Sequence, residues 1–206
     1  MIMGMTPIWY SNLFGAFMFI GNIYIGWACL GLLTILLVKS SKSFAETIST
    51  AQLWDTGKLT FGFCMIWGYF FFSQFLPQWY GNLPEETQWM ILRTREFPWK
   101  GLGWLTFFMC FVIPFVLLIS EDIKRAPKFL VPVLLCILCG VWLEKFMIIM
   151  PELSPDRIPY SFPEIVLQLA LFLGFASIYV LCLRWFLSRF PFLPVSHPMT
   201  HGSRDW

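Results

Sequence analysis

Five apolar stretches, 12–38, 59–80, 102–120, 129–150 and 164–187, dominate this sequence of 206 residues. Each is long enough to cross a bilayer as a helix, which takes about 20 mainly apolar residues. A lipid-facing segment has no water to bond its backbone, so a spanning stretch of this kind must be helical. The connections between the stretches are short and polar. Composition agrees: 58% of the residues are hydrophobic and 13% are charged, against roughly 25% charged in an average soluble domain. The sequence therefore predicts an all-α integral membrane protein of about five transmembrane helices. Its organisation is expected to be one spanning domain over 1–190 and a Pro-rich tail over 191–206, carrying Pro191, Pro194 and Pro198.

Charge sets the expected orientation and removes several function classes. Lys39, Lys42, Lys58, Lys124, Arg125, Lys128, Arg184, Arg189 and Arg204 fall on one side of the spans, and Arg93, Arg95, Lys100 and Arg157 on the other. Basic residues are retained on the cytoplasmic side, so nine against four predicts a cytoplasmic C-terminus and an outside N-terminus. The basic residues are scattered, which leaves no footprint for nucleic acid. All six cysteines lie in apolar runs, and the Cys136-x-x-Cys139 pair has no second pair or nearby His with which to build a metal site. His197 and His201 sit in the tail beside Pro198, where solvated side chains are expected and haem ligation is not. Phosphate loops and nucleophile elbows are absent.

Polar groups inside spans are costly, about 2.5 to 3.5 kcal/mol for Asp, Lys or Arg at mid-helix. Asp55 and Lys58 stand three apart at the start of the second span, on one helical face, and are expected to pair. Tyr69, Ser73 and Gln74 recur near helical spacing; such a stripe serves either interhelical hydrogen bonding or a polar conduit. In the fourth span Glu144 and Lys145 are adjacent, about a turn and a half inside the outer end. Side chains on adjacent helical residues diverge by about 100°, so the two are not expected to pair side by side. Lys145 is expected to snorkel outward, leaving Glu144 as a buried ionisable group. The segment 78–87 joins Trp79, Tyr80 and Asn82 to the adjacent acids Glu85 and Glu86 in an outer loop, which is either simply solvated or a docking surface for a peripheral partner.

Several of these segments carry a resemblance. The runs Asp55-Thr56-Gly57-Lys58-Leu59, Tyr69-Phe70-Phe71-Phe72-Ser73-Gln74 and Gln78-Trp79-Tyr80-Gly81-Asn82-Leu83-Pro84-Glu85-Glu86-Thr87 resemble the ActF-type NrfD-like (polysulfide reductase-type) membrane subunit of bacterial alternative complex III. Ile8-Trp9-Tyr10-Ser11, Pro114-Phe115, Lys124-Arg125 and Leu143-Glu144-Lys145-Phe146 add to it, and the likeness extends from about residue 7 to residue 187. The sequence corresponds to the C-terminal half of that family, whose members have roughly twice as many spans, and it has Glu144 where the family pattern has Asp.

The resemblance implies a subunit of a quinol:cytochrome c oxidoreductase in the bacterial inner membrane, half of a two-bundle NrfD-like architecture, with no redox cofactor of its own. It implies a complex containing haem c, iron–sulfur clusters and quinol, and partners that are further multispan NrfD-like subunits and periplasmic redox subunits. It also implies structural support and a proton route, for which Asp55, Lys58, Tyr69, Ser73, Gln74 and Glu144 are the candidates. The alternatives are a structural anchor that docks peripheral redox subunits through Trp79, Tyr80, Asn82, Glu85 and Glu86, and a small transporter. The lack of internal repeats counts against the transporter.

Overall fold

The computed structural model describes Gly4, Trp9 and residues 11–40, 48–153 and 162–190. In chain order the helices are α1 (Phe14–Ser40), α2 (Thr50–Gly81), α3 (Pro84–Thr94), α4 (Trp99–Phe107), α5 (Ile113–Ile119), α6 (Glu121–Arg125), α7 (Pro127–Leu153) and α8 (Phe162–Arg189). A single π-helical turn, Phe108–Val112, joins α4 to α5, so the third span is one continuous rod over Trp99–Ile119. Five helical segments are long and apolar enough to cross a membrane, and the chain is an all-α membrane protein. It divides into a unit Met1–Ile158, which holds four spans, and a unit Pro159–Trp206, which holds the fifth, α8.

Three boundaries differ from expectation. The second span begins at Thr50, where Gln52 Oε1 accepts a hydrogen bond from the Ser49 backbone N–H at 3.2 Å, so Asp55 and Lys58 lie inside α2. The segment 84–94 is the helix α3, with Pro84 in its first turn, two acids following and Arg93 near its end. These are helix-start and helix-stop signals, and the helix replaces the loop expected over 84–87. The fourth span runs through Pro151 to Leu153. The tail 191–206, with His197 and His201, lies outside the described residues.

In the four-span unit α7 is the central helix, packed against α1, the third span and α3. Its buried Leu130, Leu134, Ile137, Val141 and Ile148 share one face of the helix, and the buried Phe146 and Met147 add to it on other sides. Gly140 lets α7 lie close against the third span: a Cβ there would stand 3.0 Å from the Cys110 backbone nitrogen. Rings fill the seam between α2 and the third span, where Phe71–Phe107, Phe107–Phe111 and Phe111–Phe115 have centroids 5.3, 5.8 and 5.5 Å apart. Such offset pairs add about 0.5–1.5 kcal/mol each beyond area burial.

The π turn has a local cause. Pro114 lacks an N–H, so the Cys110 carbonyl four residues earlier has no α-helical donor. The ladder widens, with the Ile113 N–H bonding to the Phe108 carbonyl. Side chains from neighbouring helices converge on the carbonyls left over. The Tyr24 hydroxyl of α1 donates to the Cys110 carbonyl at 3.1 Å. The Cys64 thiol approaches the same oxygen at 3.9 Å, and the Cys136 thiol approaches the Met109 carbonyl at 3.7 Å.

Two expected outcomes follow, both read as thermal stability in detergent. Gly140→Ala, which meets backbone that cannot move aside, is expected to lower stability by about 1–3 kcal/mol, whereas Gly26→Ala, which meets open space, is expected to leave it unchanged or raise it by up to about 1 kcal/mol. Tyr24→Phe, which leaves the Cys110 carbonyl with only a weak thiol donor, is expected to lower the melting temperature by several degrees with the spans intact by circular dichroism.

Candidate functional site

Glu144 lies on α7 nine residues (153 minus 144) before its end, about 13 Å or two and a half turns in. That is deeper than the sequence reading placed it, because α7 continues through Pro151. The side chain is 6% exposed, and both oxygens are occupied. Oε2 accepts a hydrogen bond from Trp67 Nε1 of α2 at 2.8 Å, and Oε1 stands 2.7 Å from Lys145 Nζ. Lys145 Nζ also reaches Met18 Sδ of α1 at 3.3 Å.

The expectation that Glu144 and Lys145 do not pair is overturned by this 2.7 Å contact. Their Cα–Cβ bonds diverge, but the flexible four-carbon stem of lysine folds back so that the two tips meet. Lys145 is accordingly turned inward instead of snorkelling. Removing two charges from water costs several kcal/mol per ion, and their attraction recovers this only with good geometry and further hydrogen bonds. Trp67 supplies one of these, and the pair thereby joins α1, α2 and α7.

Beside Glu144 a cavity of about 130 Å³ opens toward α3. At about 30 Å³ per water it has room for roughly four. Its polar lining comprises Gln74, Gln78, Arg93, Thr94, Thr106 and Glu144. Gln78 is buried, and its Oε1 has no hydrogen-bond partner among the described residues. A buried amide oxygen in that condition is costly unless water reaches it, so a largely apolar cavity carries one polar demand, at Gln78.

Arg93 closes the far end. Its guanidinium is buried under α3, with Nε donating to the Met147 carbonyl at 2.8 Å, Nη1 to the Trp89 carbonyl at 2.8 Å, and Nη2 to the Ile148 carbonyl and Glu152 Oε1, each at 3.0 Å. The reason is Pro151, which has no N–H for the Met147 carbonyl four residues before it. The guanidinium also lies 3.9 Å from the Trp89 ring, which stacks on Trp9 at 4.2 Å. Gly103 makes room, since a Cβ there would collide with the Arg93 carbonyl. Burial lowers the Arg93 pKa to about 10, opposed by Glu152, so the group stays charged at neutral pH.

The other sequence candidates are not all gathered here. Asp55 and Lys58 pair at 2.6 Å, as their spacing implies, but both are well exposed. Twelve residues of α2 (67 minus 55), about 18 Å, separate Asp55 from Trp67. Lys58 lies 3.9 Å above the Trp54 ring. Of the Tyr69, Ser73 and Gln74 stripe only Gln74 lines the Glu144 cavity; Tyr69 is 66% exposed and faces out of the unit, and Ser73 is half-buried elsewhere. Trp79, Tyr80, Asn82 and Glu85 are exposed and Glu86 is half-buried where α2 gives way to α3. Among the described residues no cluster of three or more His, Cys, Asp or Glu side chains is placed to hold a metal.

Sequence reading missed Arg93 and Trp67. Arg93 counted there only as an outer charge, although Pro151 announces a carbonyl in need of a donor. No signal in the sequence singles out Trp67 from the other ten Trp.

The ion pair makes a stability prediction. Lys145→Met strands the buried carboxylate, whereas Glu144→Gln with Lys145→Met removes both charges. The single variant is expected to melt at a lower temperature than the double variant in the same detergent, and the reverse order would show that the pair is energetically idle. Compared with known proteins, this chain matches no protein-family model and no curated protein.

Proposed function

We propose that this chain is a non-catalytic membrane subunit of a quinol-oxidising electron-transfer complex of the alternative complex III type, and that Glu144 is its proton-exchanging group. The observation that carries the proton role is that Glu144, Gln74 and Gln78, which come from three of the segments that resemble the family, line one cavity. Ionisable residues inside spans face protein or water and commonly belong to proton relays. A carboxylate beside a cavity with room for a few waters, and with the amides of Gln74 and Gln78 on its wall, has both a site for the proton and space for a medium through which to reach it.

On this reading the relay reaches Glu144 along Gln78 and Gln74 from the α3 end, beside the fixed cation Arg93 that takes no proton itself, and Asp55 and Lys58 act as a surface pair at the opposite end of α2. Tyr69 and Ser73 take no part. The chain resides in a bacterial inner membrane with α3 periplasmic and the tail cytoplasmic, as the basic residues favour. The exposed Trp79, Tyr80, Asn82, Glu85 and Glu86 then face the periplasm as a docking surface for redox subunits that hold the haem c and iron–sulfur groups, and a second multispan NrfD-like subunit packs against the helices. A second reading is favoured by the closed Trp67–Glu144–Lys145 contacts: a permanent ion pair whose role is to join helices.

Glu144→Gln separates the two, because it keeps size and a hydrogen-bond acceptor for Trp67 while removing the exchangeable proton. If the proton reading holds, the complex purified with this chain keeps its subunits and its haem and iron–sulfur absorbance while proton translocation per electron falls. An unchanged stoichiometry in the assembled variant eliminates the proton role, and loss of assembly favours the joining role. Purification of the chain without any haem c or iron–sulfur partner would remove the complex itself from the proposal. For the orientation, Ser196→Cys is expected to resist an impermeant thiol reagent in intact cells.

A further inference from the structure

A second and larger recess, about 950 Å³, lies on the lipid side of the Glu144 cavity between α2, α3 and α4. On α2 its lining runs from Gly68 through Phe72 and Phe75 to Asn82, a length of 14 residues (82 minus 68), about 21 Å. One leaflet of the hydrocarbon core is about 15 Å deep, half of roughly 30 Å. The recess is therefore long enough to run the depth of one leaflet. Its inner end is closed by Phe111, whose ring occupies the space that a side chain at Gly68 would need.

Polarity is confined to one end. Asn82, Thr87, Thr94 and Arg95 lie at the mouth, while Phe72, Phe75, Trp104 and Phe107 make the walls below. Arg95 is the charged residue of this lining, and it is a cation. The recess differs from an open lipid-facing surface because α3 covers it: Thr87, Met90, Ile91 and Thr94, at one-turn intervals, present a single face of that helix to it. A site of this size that is largely apolar with a few convergent polar groups has the form of a ligand pocket.

We propose that this recess is a binding site for one phospholipid, with an acyl chain between α2 and α4 and its phosphate on Arg95. A long apolar body with an anionic head matches the lining from end to end, and a guanidinium meets phosphate through two parallel hydrogen bonds. Phe71, Phe75 and Phe107 line both this recess and the Glu144 cavity. A chain bound there covers the lipid side of those rings and completes the wall that separates the Glu144 cavity from the bilayer. This inference does not depend on the complex proposed above.

The test is native mass spectrometry and phosphorus analysis of the protein extracted in mild detergent with whatever co-purifies, then washed with detergent and reconstituted with phosphatidylethanolamine and phosphatidylglycerol. About one phospholipid per chain is expected to survive washing. Arg95→Gln, a change at an exposed side chain, is expected to reduce retention at least tenfold, and Ile91→Trp, which fills the recess, to abolish it, with both variants monodisperse. If Ile91→Trp fails to fold, Arg95→Gln decides. Retention that is absent in the unaltered protein, or equal in it and Arg95→Gln, overturns the proposal. So does a retained amphiphile without phosphorus, or a photocrosslink from position 72 that captures protein in place of lipid.

Discussion

A proline inside a membrane-spanning helix leaves a carbonyl without its usual helical donor, and in the four-span unit two such carbonyls are satisfied by donors from other helices. At Cys110, four residues before Pro114, the solution is a π turn together with the Tyr24 hydroxyl from α1. At Met147, four residues before Pro151, it is the Arg93 guanidinium from α3. Both donors come from other helices, so satisfying the backbone and fixing the packing are one event. The first joins α1 to the third span near its middle, and the second holds α3 against the end of α7.

The Glu144 cavity follows from this arrangement. Because Arg93 holds α3 across the bundle, the ends of α2 and α7 are bridged by a short amphipathic helix, and the space beneath it is lined by Gln74, Gln78 and Thr106. Farther in, Trp67 and Lys145 saturate the carboxylate. The same helix covers the larger lipid-side recess. One eleven-residue element that the hydropathy pattern does not announce thus bounds both of these cavities. Cation–π contacts recur at both ends of that unit, with Arg93 on Trp89 at one and Lys58 and Arg125 on Trp54 at the other. They fix long basic side chains where amphipathic rings meet the membrane surface.

What the sequence determined by itself was the solvent and the secondary structure. Runs of apolar residues longer than a bilayer is thick admit helices and little else, so the five spans were legible to within a few residues at most of their ends, and the i,i+3 spacing of Asp55 and Lys58 was enough to pair them. What the tertiary structure decided was which polar groups meet. Glu144 and Lys145 pair against the expectation from their helical positions, because side-chain reach overrides the 100° divergence of their backbones. Tyr69 faces outward although its spacing places it on a stripe with Ser73 and Gln74. Arg93 becomes a buried clamp through partners 54 to 59 residues away in sequence. Hydropathy acts along the chain and is read locally; hydrogen bonds and ion pairs depend on distances of about 3 Å between residues far apart in sequence, and only packing sets those distances.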